Sequence, residues 1–319
     1  MEIRPLTLDD AAEVTALIRR FETFWEAPLA TPVEQVREEL TAPHLDIETE
    51  TRGYWLEDEM VAYGLIWHRP SGVRLERAYT QGLVDPAYRG QGIGRHLLAW
   101  EIKRATEKLE GSDPSLPCFI RADEWDWIED ARRLYRRLGM IPVRYFKEML
   151  RPLDGNVDVD TPDGISIVPF DRSYDEGTRI AWNESFADHW GSTPLDAATY
   201  QHRIEGEGNL ASASFLALAG NEVVGLCLNG NYPEDEEVIG RREGWVEVLG
   251  VGRKWRGQGI ASALLKTSFN AFEEANMTHA AIGVDAENST GAFGLYESLG
   301  FEVAQGTITF EIELPRPSK

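Results

Sequence analysis

The stretch Val248 to Leu265, VLGVGRKWRGQGIASALL, decides how the rest of this 319-residue chain is read. Its first four residues are apolar or small and read as the end of a strand. A short basic, glycine-rich turn follows, and then Ile260, Leu264, Leu265, Phe269 and Phe272 recur at helical spacing. A glycine-rich turn at a helix N-terminus presents unpaired backbone N–H groups, and the helix dipole adds partial positive charge, so the arrangement attracts anions. Gly257 and Gly259 let the backbone approach a phosphate closely. The device occurs twice: Leu83 to Leu98, LVDPAYRGQGIGRHLL, contains the same run Arg-Gly-Gln-Gly-Ile.

The spacing excludes two common phosphate loops. A dinucleotide fold needs Gly-x-Gly-x-x-Gly, but Arg95 and Ser262 stand where the third glycine belongs; nor is either copy Gly-x-x-x-x-Gly-Lys-Ser/Thr. Both turns also fall deep inside their halves of the chain, whereas a dinucleotide loop follows the first strand of its domain.

Matching runs along the whole chain. Ile3-Arg4-Pro5-Leu6 is echoed by Ile167-Val168-Pro169-Phe170, Phe21 and Trp25 by Phe186 and Trp190, Arg89 by Arg256, and Tyr135 by Tyr296, at a nearly constant offset. That pattern is one domain duplicated, since a solenoid needs more copies at a shorter period. Each half reads as an opening strand, two helices, a hairpin, a central strand, the glycine turn with its helix, a further strand, a short helix ended by glycine, and a closing strand. The acidic pair Asp58-Glu59 marks the turn of the first hairpin. The closing strands are expected at Tyr145 to Leu150 and Thr307 to Leu314. Residues 151–164, RPLDGNVDVDTPDG, are rich in Pro, Gly and Asp without periodicity and read as a linker, giving domains at 1–150 and 165–319.

Composition bounds the function. With 42% hydrophobic and 27% charged residues the chain reads as a soluble globular protein, with no apolar run long enough to span a bilayer and no signal-peptide core. A net charge of −22 argues against nucleic acid or an anionic membrane as partner and suits a cationic substrate, although most of that charge reads as solvated surface. The two cysteines, Cys118 and Cys227, supply neither a disulfide framework nor metal-ligand spacing, so the expected compartment is the cytoplasm and no metal is expected.

What the turns do fit is Arg/Gln-x-x-Gly-x-Gly/Ala: Arg89, Gly92 and Gly94 in the first half, Arg256, Gly259 and Ala261 in the second. Each is followed by Tyr-x-x-Leu-Gly, at Tyr135 to Gly139 and Tyr296 to Gly300. The chain thus resembles the GNAT acetyltransferase superfamily over nearly its whole length, as two tandem domains in the manner of the mycothiol-synthase family. The fold implied is α/β, with a mixed, mostly antiparallel sheet in each domain, flanked by helices and containing a splayed parallel strand pair.

The resemblance implies acetyl-CoA as cosubstrate, lying in the splay. Leu249, Gly250 and Val251 would run along pantetheine, and Arg256, Gly257, Gln258, Gly259, Ile260 and Ala261 would hold the pyrophosphate. The Leu249 N–H would polarise the thioester carbonyl as a one-donor oxyanion site. Tyr296 takes the place of the acid that protonates the departing thiolate, against a packing role beside Leu295 and Phe301. Glu247, two residues before Leu249 and so on the same strand face, is either the base or a substrate-binding carboxylate. In the mycothiol-synthase family the catalytic glutamate aligns instead with Trp245. Asn288 would bond pantetheine or cap a helix.

In the first half Leu83, Val84, Arg89, Gly90, Gln91, Gly92, Ile93 and Gly94 form the matching coenzyme loop, but Thr80 replaces Glu247 and Trp127 replaces Asn288. The second half is therefore expected to be catalytic, and the first to bind acetyl-CoA without turnover or to serve as scaffold. Phe186, Asp188, His189 and Trp190 are expected to wall the acceptor pocket, with Asp188 a partner for a substrate ammonium and Glu243 a further binding carboxylate; a lone histidine such as His189 is more often structural or at the surface than catalytic, and Trp190 reads as packing. The implied reaction is N-acetylation of a primary amine of a small molecule by direct attack in a ternary complex, because neither motif holds a cysteine to carry the acetyl group. Alternatives are another acyl-CoA donor, a non-catalytic acyl-CoA sensor, and a protein N-acetyltransferase. Two fused domains suggest a monomer.

Overall fold

The computed structural model describes residues 1–315 apart from 69, 71, 207 and 288–290. The chain divides into two compact units, Met1–Tyr145 with Thr307–Lys319, and Phe146–Gly306.

Unit 1 opens with β1 (Glu2–Arg4), α1 (Ala11–Trp25), α2 (Val33–Leu40) and α3 (Ile47–Glu50). Thr7 donates its N–H and its hydroxyl to Asp10, 2.7 and 2.9 Å away, which starts the helical region. Helix α1 then buries Val14, Leu17 and Ile18 in a core shared with Tyr63 and Leu65. The hairpin β2 (Thr51–Leu56) and β3 (Glu59–His68) turns at Glu57 and Asp58, because Leu56 already pairs with Glu59; the acidic pair at the turn lies one residue earlier than expected. Strand β4 (Glu76–Val84), α4 (Ile93–Glu110), β5 (Cys118–Trp125) and α5 (Glu129–Arg137) follow.

The chain continues with β6 (Ile141–Pro152), β7 (Ser166–Pro169), α6 (Asp175–Ser185), α7 (Ala197–Glu205), β8 (Phe215–Ala219) and β9 (Glu222–Gly230). Then come α8 (Pro233–Ile239), β10 (Glu243–Val251), α9 (Ile260–Glu274), β11 (His279–Asp285), α10 (Ala292–Ser298) and β12 (Glu302–Leu314). The sequence reading did not anticipate α3 or α8, although both carry start signals. Asp46 accepts from the Glu48 and Thr49 N–H groups, and Pro233 opens α8 ahead of Glu234, Asp235 and Glu236.

The strands of unit 1 run in the order β1-β2-β3-β4-β5-β12 and those of unit 2 in the order β6-β11-β10-β9-β8-β7. The closing strands are therefore exchanged along the sequence. Residues 307–314 of β12 pair antiparallel with β5, and residues 146–152 of β6 pair antiparallel with β11. Chain order alone assigns each closing strand to its own half; the ladders decide otherwise. The segment read as a linker is also anchored. Its first two residues finish β6, Leu153 N–H donates to Thr278 O, and Val157 exchanges hydrogen bonds with the Asn270 side chain of α9.

Inside unit 2 the main core packs α9, through Leu264, Leu265, Phe269 and Phe272, against β9 and β11 residues including Cys227, Ala280 and Ile282. Helices α6 and α7 cover the opposite set, Leu216, Leu226, Leu228 and Val248. The central strand is thus held between two apolar layers, which fixes the backbone at the site.

Candidate active site

In unit 2, β10 and β11 pair in parallel from Glu243 opposite His279 to Val246 opposite Ile282, and no further. Both strands continue, to Val251 and Asp285. From Glu247 onward the β10 edge facing β11 has no ladder partner among the described residues, so its backbone groups, apart from Val251 O, which accepts from Arg256, are available to a ligand. On its other side β10 stays paired with β9 as far as Val251 opposite Gly225, with one irregularity: Val246 faces Asn229 and Val248 faces Leu228, leaving Glu247 as the extra residue of a β-bulge.

A cavity of ≈ 370 Å³ occupies the splay. Leu249, Gly250 and Val251 form its strand wall, and Gly257, Gly259, Ile260 and Ala261 its turn. Gly257 and Gly259 have φ of +73° and +85°, in the left-handed region, and Gly259 is the N-cap of α9. A Cβ on Gly257 would meet nothing within 4 Å, so packing is not what excludes a side chain there. A positive helix end, open backbone and an unpaired strand edge in one cavity fit a pyrophosphate followed by an extended amide chain.

The Arg256 side chain is committed elsewhere. Its Nε donates to Val251 O at 3.1 Å and its Nη2 to Ser185 O at 2.7 Å, which ties the turn to the end of β10 and of α6. Here α6 presses on β10 so closely that a Cβ on Gly250 would lie 2.8 Å from Ser185 Cβ. Gln258 turns its amide to Lys254 O and is outside the cavity wall. The turn thus offers an anion its backbone N–H groups and, in the cavity wall, an Arg256 guanidinium already bonded to two carbonyls.

Tyr296 lines the same cavity. It is 6% exposed, its ring meets Phe301 edge-on, and burial raises its hydroxyl well above the usual phenol range. A tyrosine that stays neutral can give a proton to a thiolate. Glu247 also lines the cavity and accepts a hydrogen bond from the Tyr232 hydroxyl at 3.0 Å. Glu247 is solvent-exposed at the open side of the cavity; the protein packed around it still pushes its pKa up by desolvation, opposed by the Tyr232 hydrogen bond and by Arg203. The alternation expected to aim Glu247 is broken by the bulge, and the cavity nonetheless takes both Glu247 and Leu249.

The expected acceptor residues divide. Phe186, Asp188 and His189 line the cavity, and Trp190 does not; it packs against Phe146 with ring centroids 6.4 Å apart. Asp188 forms a solvent-exposed ion pair with Arg253, so a substrate ammonium would compete with that arginine for it. Glu243 is buried, paired with Arg241 and outside the cavity wall. Asn288 lies outside the described residues. The sequence reading missed Asp285, a buried carboxylate of the cavity that accepts the Glu287 N–H at 3.0 Å. Its signal was position: a charge at the carboxyl end of a strand beside a splay. Among the described residues no group of three or more His, Cys, Asp or Glu is placed to hold a metal ion, and no helix is long and apolar enough to cross a membrane.

Unit 1 repeats the frame. The parallel pair β4–β5 ends at Tyr79 opposite Arg121, and Gly90 and Gly92 have φ of +75° and +87°. A cavity of ≈ 860 Å³ is lined by Leu83, Val84, the whole turn Arg89 to Gly94, and Tyr135. Arg89 is held by Asp130 and by the rings of Phe24 and Trp25 rather than by carbonyls. No bulge interrupts β3–β4, Thr80 stands at the place of Glu247, and Trp127 stacks on Trp125. Two further carboxyls line this cavity, Glu101 and Glu124, which the sequence reading did not single out.

A splayed parallel pair over a left-handed glycine turn, with a buried tyrosine facing it, defines an acyl-CoA-dependent acyltransferase. The chain belongs to the acetyltransferase (GNAT) family: residues 176–301 match the family's acetyltransferase model and residues 50–140 a GNAT acetyltransferase domain model. It is 26% identical to a mycothiol acetyltransferase of Sanguibacter keddieii, over 100% of this chain and 96% of that protein. It is likewise 26% identical to one of Acidothermus cellulolyticus, over 84% and 83%. The crystal structure of a GCN5-related N-acetyltransferase from Sphaerobacter thermophilus superposes with a TM-score of 0.77 at 25% identity, covering 100% of this chain and 96% of that one. Two tandem GNAT domains, a mixed sheet and acyltransferase activity are therefore properties of this protein.

Proposed function

We propose that unit 2 transfers the acetyl group of acetyl-CoA to a primary amine of a small molecule by direct attack in a ternary complex. The observation that carries this is the convergence in one cavity of the unpaired β10 edge, the left-handed glycine turn, Glu247 and Tyr296. Backbone N–H groups at Gly257 to Ala261 hold the pyrophosphate, and the free edge at Leu249 to Val251 pairs with the pantetheine amides. The Leu249 N–H donates to the thioester carbonyl, where negative charge grows during attack.

Glu247 accepts the ammonium proton, directly or through a water, and its raised pKa suits that task near neutral pH. Tyr296 protonates the leaving sulfur. Phe186 and His189 supply an aromatic wall for the acceptor, with ring centroids 5.5 Å apart. The names of the relatives point to an amine on a sugar-containing thiol as one acceptor class to try, although Trp245 stands where that family carries its glutamate. Unit 1 binds acetyl-CoA and lacks the base.

The test is an acceptor screen monitored by CoA release, with product mass and initial-velocity patterns. Intersecting patterns and a mass gain of one acetyl group per amine support the reading. Parallel patterns, or acetyl-CoA binding without release for any amine class, overturn it in favour of an acyl-enzyme route or a sensor.

A further inference from the structure

Besides Thr80 against Glu247, the two cavities differ at a second matched place in their walls. In unit 2, Leu249 stands three residues past the last parallel pair and lines the cavity. Its cross-strand partner is Cys227, to which Ser268 of α9 donates at 3.3 Å. In unit 1 the residue three past the last parallel pair is Gly82, and its cross-strand partner is Gly64. The α4 residue that faces them is Glu101. Glu101 and Ser268 each stand eight residues after the isoleucine that opens their helix.

The two glycines leave room for that carboxyl, and for Leu97 and the Tyr63 carbonyl beside it. A Cβ on Gly64 would fall 2.2 Å from Glu101 Oε1, and a Cβ on Gly82 would fall 2.6 Å from it. Unit 1 thus puts a carboxyl where unit 2 has an apolar side chain and a thiol. Glu101 is 3% exposed and lines the cavity, and its Oε1 has no hydrogen-bond partner. A buried polar group left without a partner costs stability and calls for an explanation.

We propose that Glu101 is a specificity-determining residue of the unit 1 cavity: its carboxylic acid donates a hydrogen bond to the carbonyl oxygen of a bound acyl thioester, so that this half holds acyl-CoA in preference to free CoA. The proposal rests on the reading of Arg89 to Gly94 as a coenzyme A loop. By correspondence with Leu249, Gly82 marks where the thioester comes to rest, and the Glu101 carboxyl is the polar group built against that point. Unit 1 then keeps a loaded donor without a base to spend it.

The protonation state follows from the surroundings. Burial is the only cause of the Glu101 shift and pushes its pKa up to about 8. The titratable groups around it are Tyr54 on β2, Tyr63 on β3, Glu124 on β5, and Tyr135 on α5. His96 of α4 bonds the Tyr54 hydroxyl at 2.9 Å, Arg52 lies beyond Tyr54, Glu22 and Glu39 beyond Tyr63, and Asp123 beside Tyr135. Glu124 is itself pushed up to about 7 by burial. Above that range Glu101 becomes an anion facing a carbonyl oxygen, and the preference for the acylated form is lost.

The experiment is calorimetric titration of Gly259→Glu protein, in which the unit 2 turn is blocked, with acetyl-CoA and with CoA at about pH 6.5 and about pH 9. The expected result is acetyl-CoA bound about fivefold more tightly than CoA at the lower pH, the effect of one neutral hydrogen bond, and no preference at the higher pH. Glu101→Gln in the same background keeps a donor N–H, so its preference persists at both. A preference ratio unmoved by pH and identical in Glu101→Gln overturns the role of Glu101 and leaves the coenzyme loop standing. Absence of binding by either nucleotide overturns the loop reading, and the role of Glu101 with it.

Discussion

The two units share a backbone device and differ in side chains. Both end a parallel pair at the same point of the repeat, both follow it with a turn whose two glycines are left-handed, and both line the cavity with a tyrosine. Only β10 carries a bulge and a carboxylate at it, whereas β4 runs without interruption through Thr80. Unit 1 has the larger cavity, ≈ 860 against ≈ 370 Å³, and Glu101 at the place where unit 2 has Ser268 against Cys227. On the proposed reading, nucleotide binding rests on backbone N–H groups and would survive wherever the turn survives, whereas proton transfer rests on individual side chains and would be lost by single replacements.

The sharpest way to break this contrast is Gly259→Glu. A side chain at φ +85° is strained, and the new carboxylate would sit at the anion site, so acetyl-CoA turnover should fall at least about a hundredfold. Gly92→Glu should cost far less turnover while removing one calorimetric site. Equal losses in the two variants would mean that both halves work in the cycle.

Tyr296→Phe comes next, with kcat lowered by roughly 10²- to 10³-fold and KM for acetyl-CoA little changed. A proportional rise in KM instead would return Tyr296 to a packing role. For Glu247→Gln a loss of roughly ten- to a hundredfold is expected near neutral pH. The base must be ionised to act, so the rate should fall as pH drops through its raised pKa. Tyr232 donates to the ionised form and holds that pKa down; Tyr232→Phe should therefore move the acid limb to higher pH. A pH–rate profile in which the limb stays put would remove Glu247 as base.

Smaller effects concern stability. Glu101 keeps its proton in the folded protein to about pH 8, against an ordinary value of 4.5, so the unfolded chain releases its proton first. Between those values folding weakens as pH rises, by up to roughly 1.4 kcal/mol per pH unit from this group. Thermal melts across that window should show Glu101→Gln losing less stability than wild type, with the two curves parallel above it. Smallest of all, Arg253→Ala should change stability by no more than about 0.5 kcal/mol, since both partners of the Arg253–Asp188 pair are solvent-exposed. Its sharper readout is the acceptor KM, which would shift if freeing Asp188 creates an ammonium site.

The sequence by itself determined the duplication, the two anion-binding turns, the paired tyrosines and hence the family. These are local statements: a left-handed turn needs glycine, a helix repeats its apolar residues every three to four positions, and both are written within a few neighbouring residues. It also supplied Glu247, though by an alternation rule that the bulge suspends. What only the tertiary structure decided depends on residues far apart in the chain. The exchange of closing strands is a choice between ladder partners more than a hundred residues away, as with Thr307 opposite Trp125. Arg256 looked like a phosphate ligand until the Ser185 carbonyl was brought to it, and Asp188 like a free carboxylate until Arg253 was. Glu101 reads as one more charge on an amphipathic helix, and only the approach of Gly64 and Gly82 turns it into a buried acid. Composition and spacing name the groups that can do chemistry, while burial and pairing, which set their charge, are fixed by contacts that no local pattern encodes.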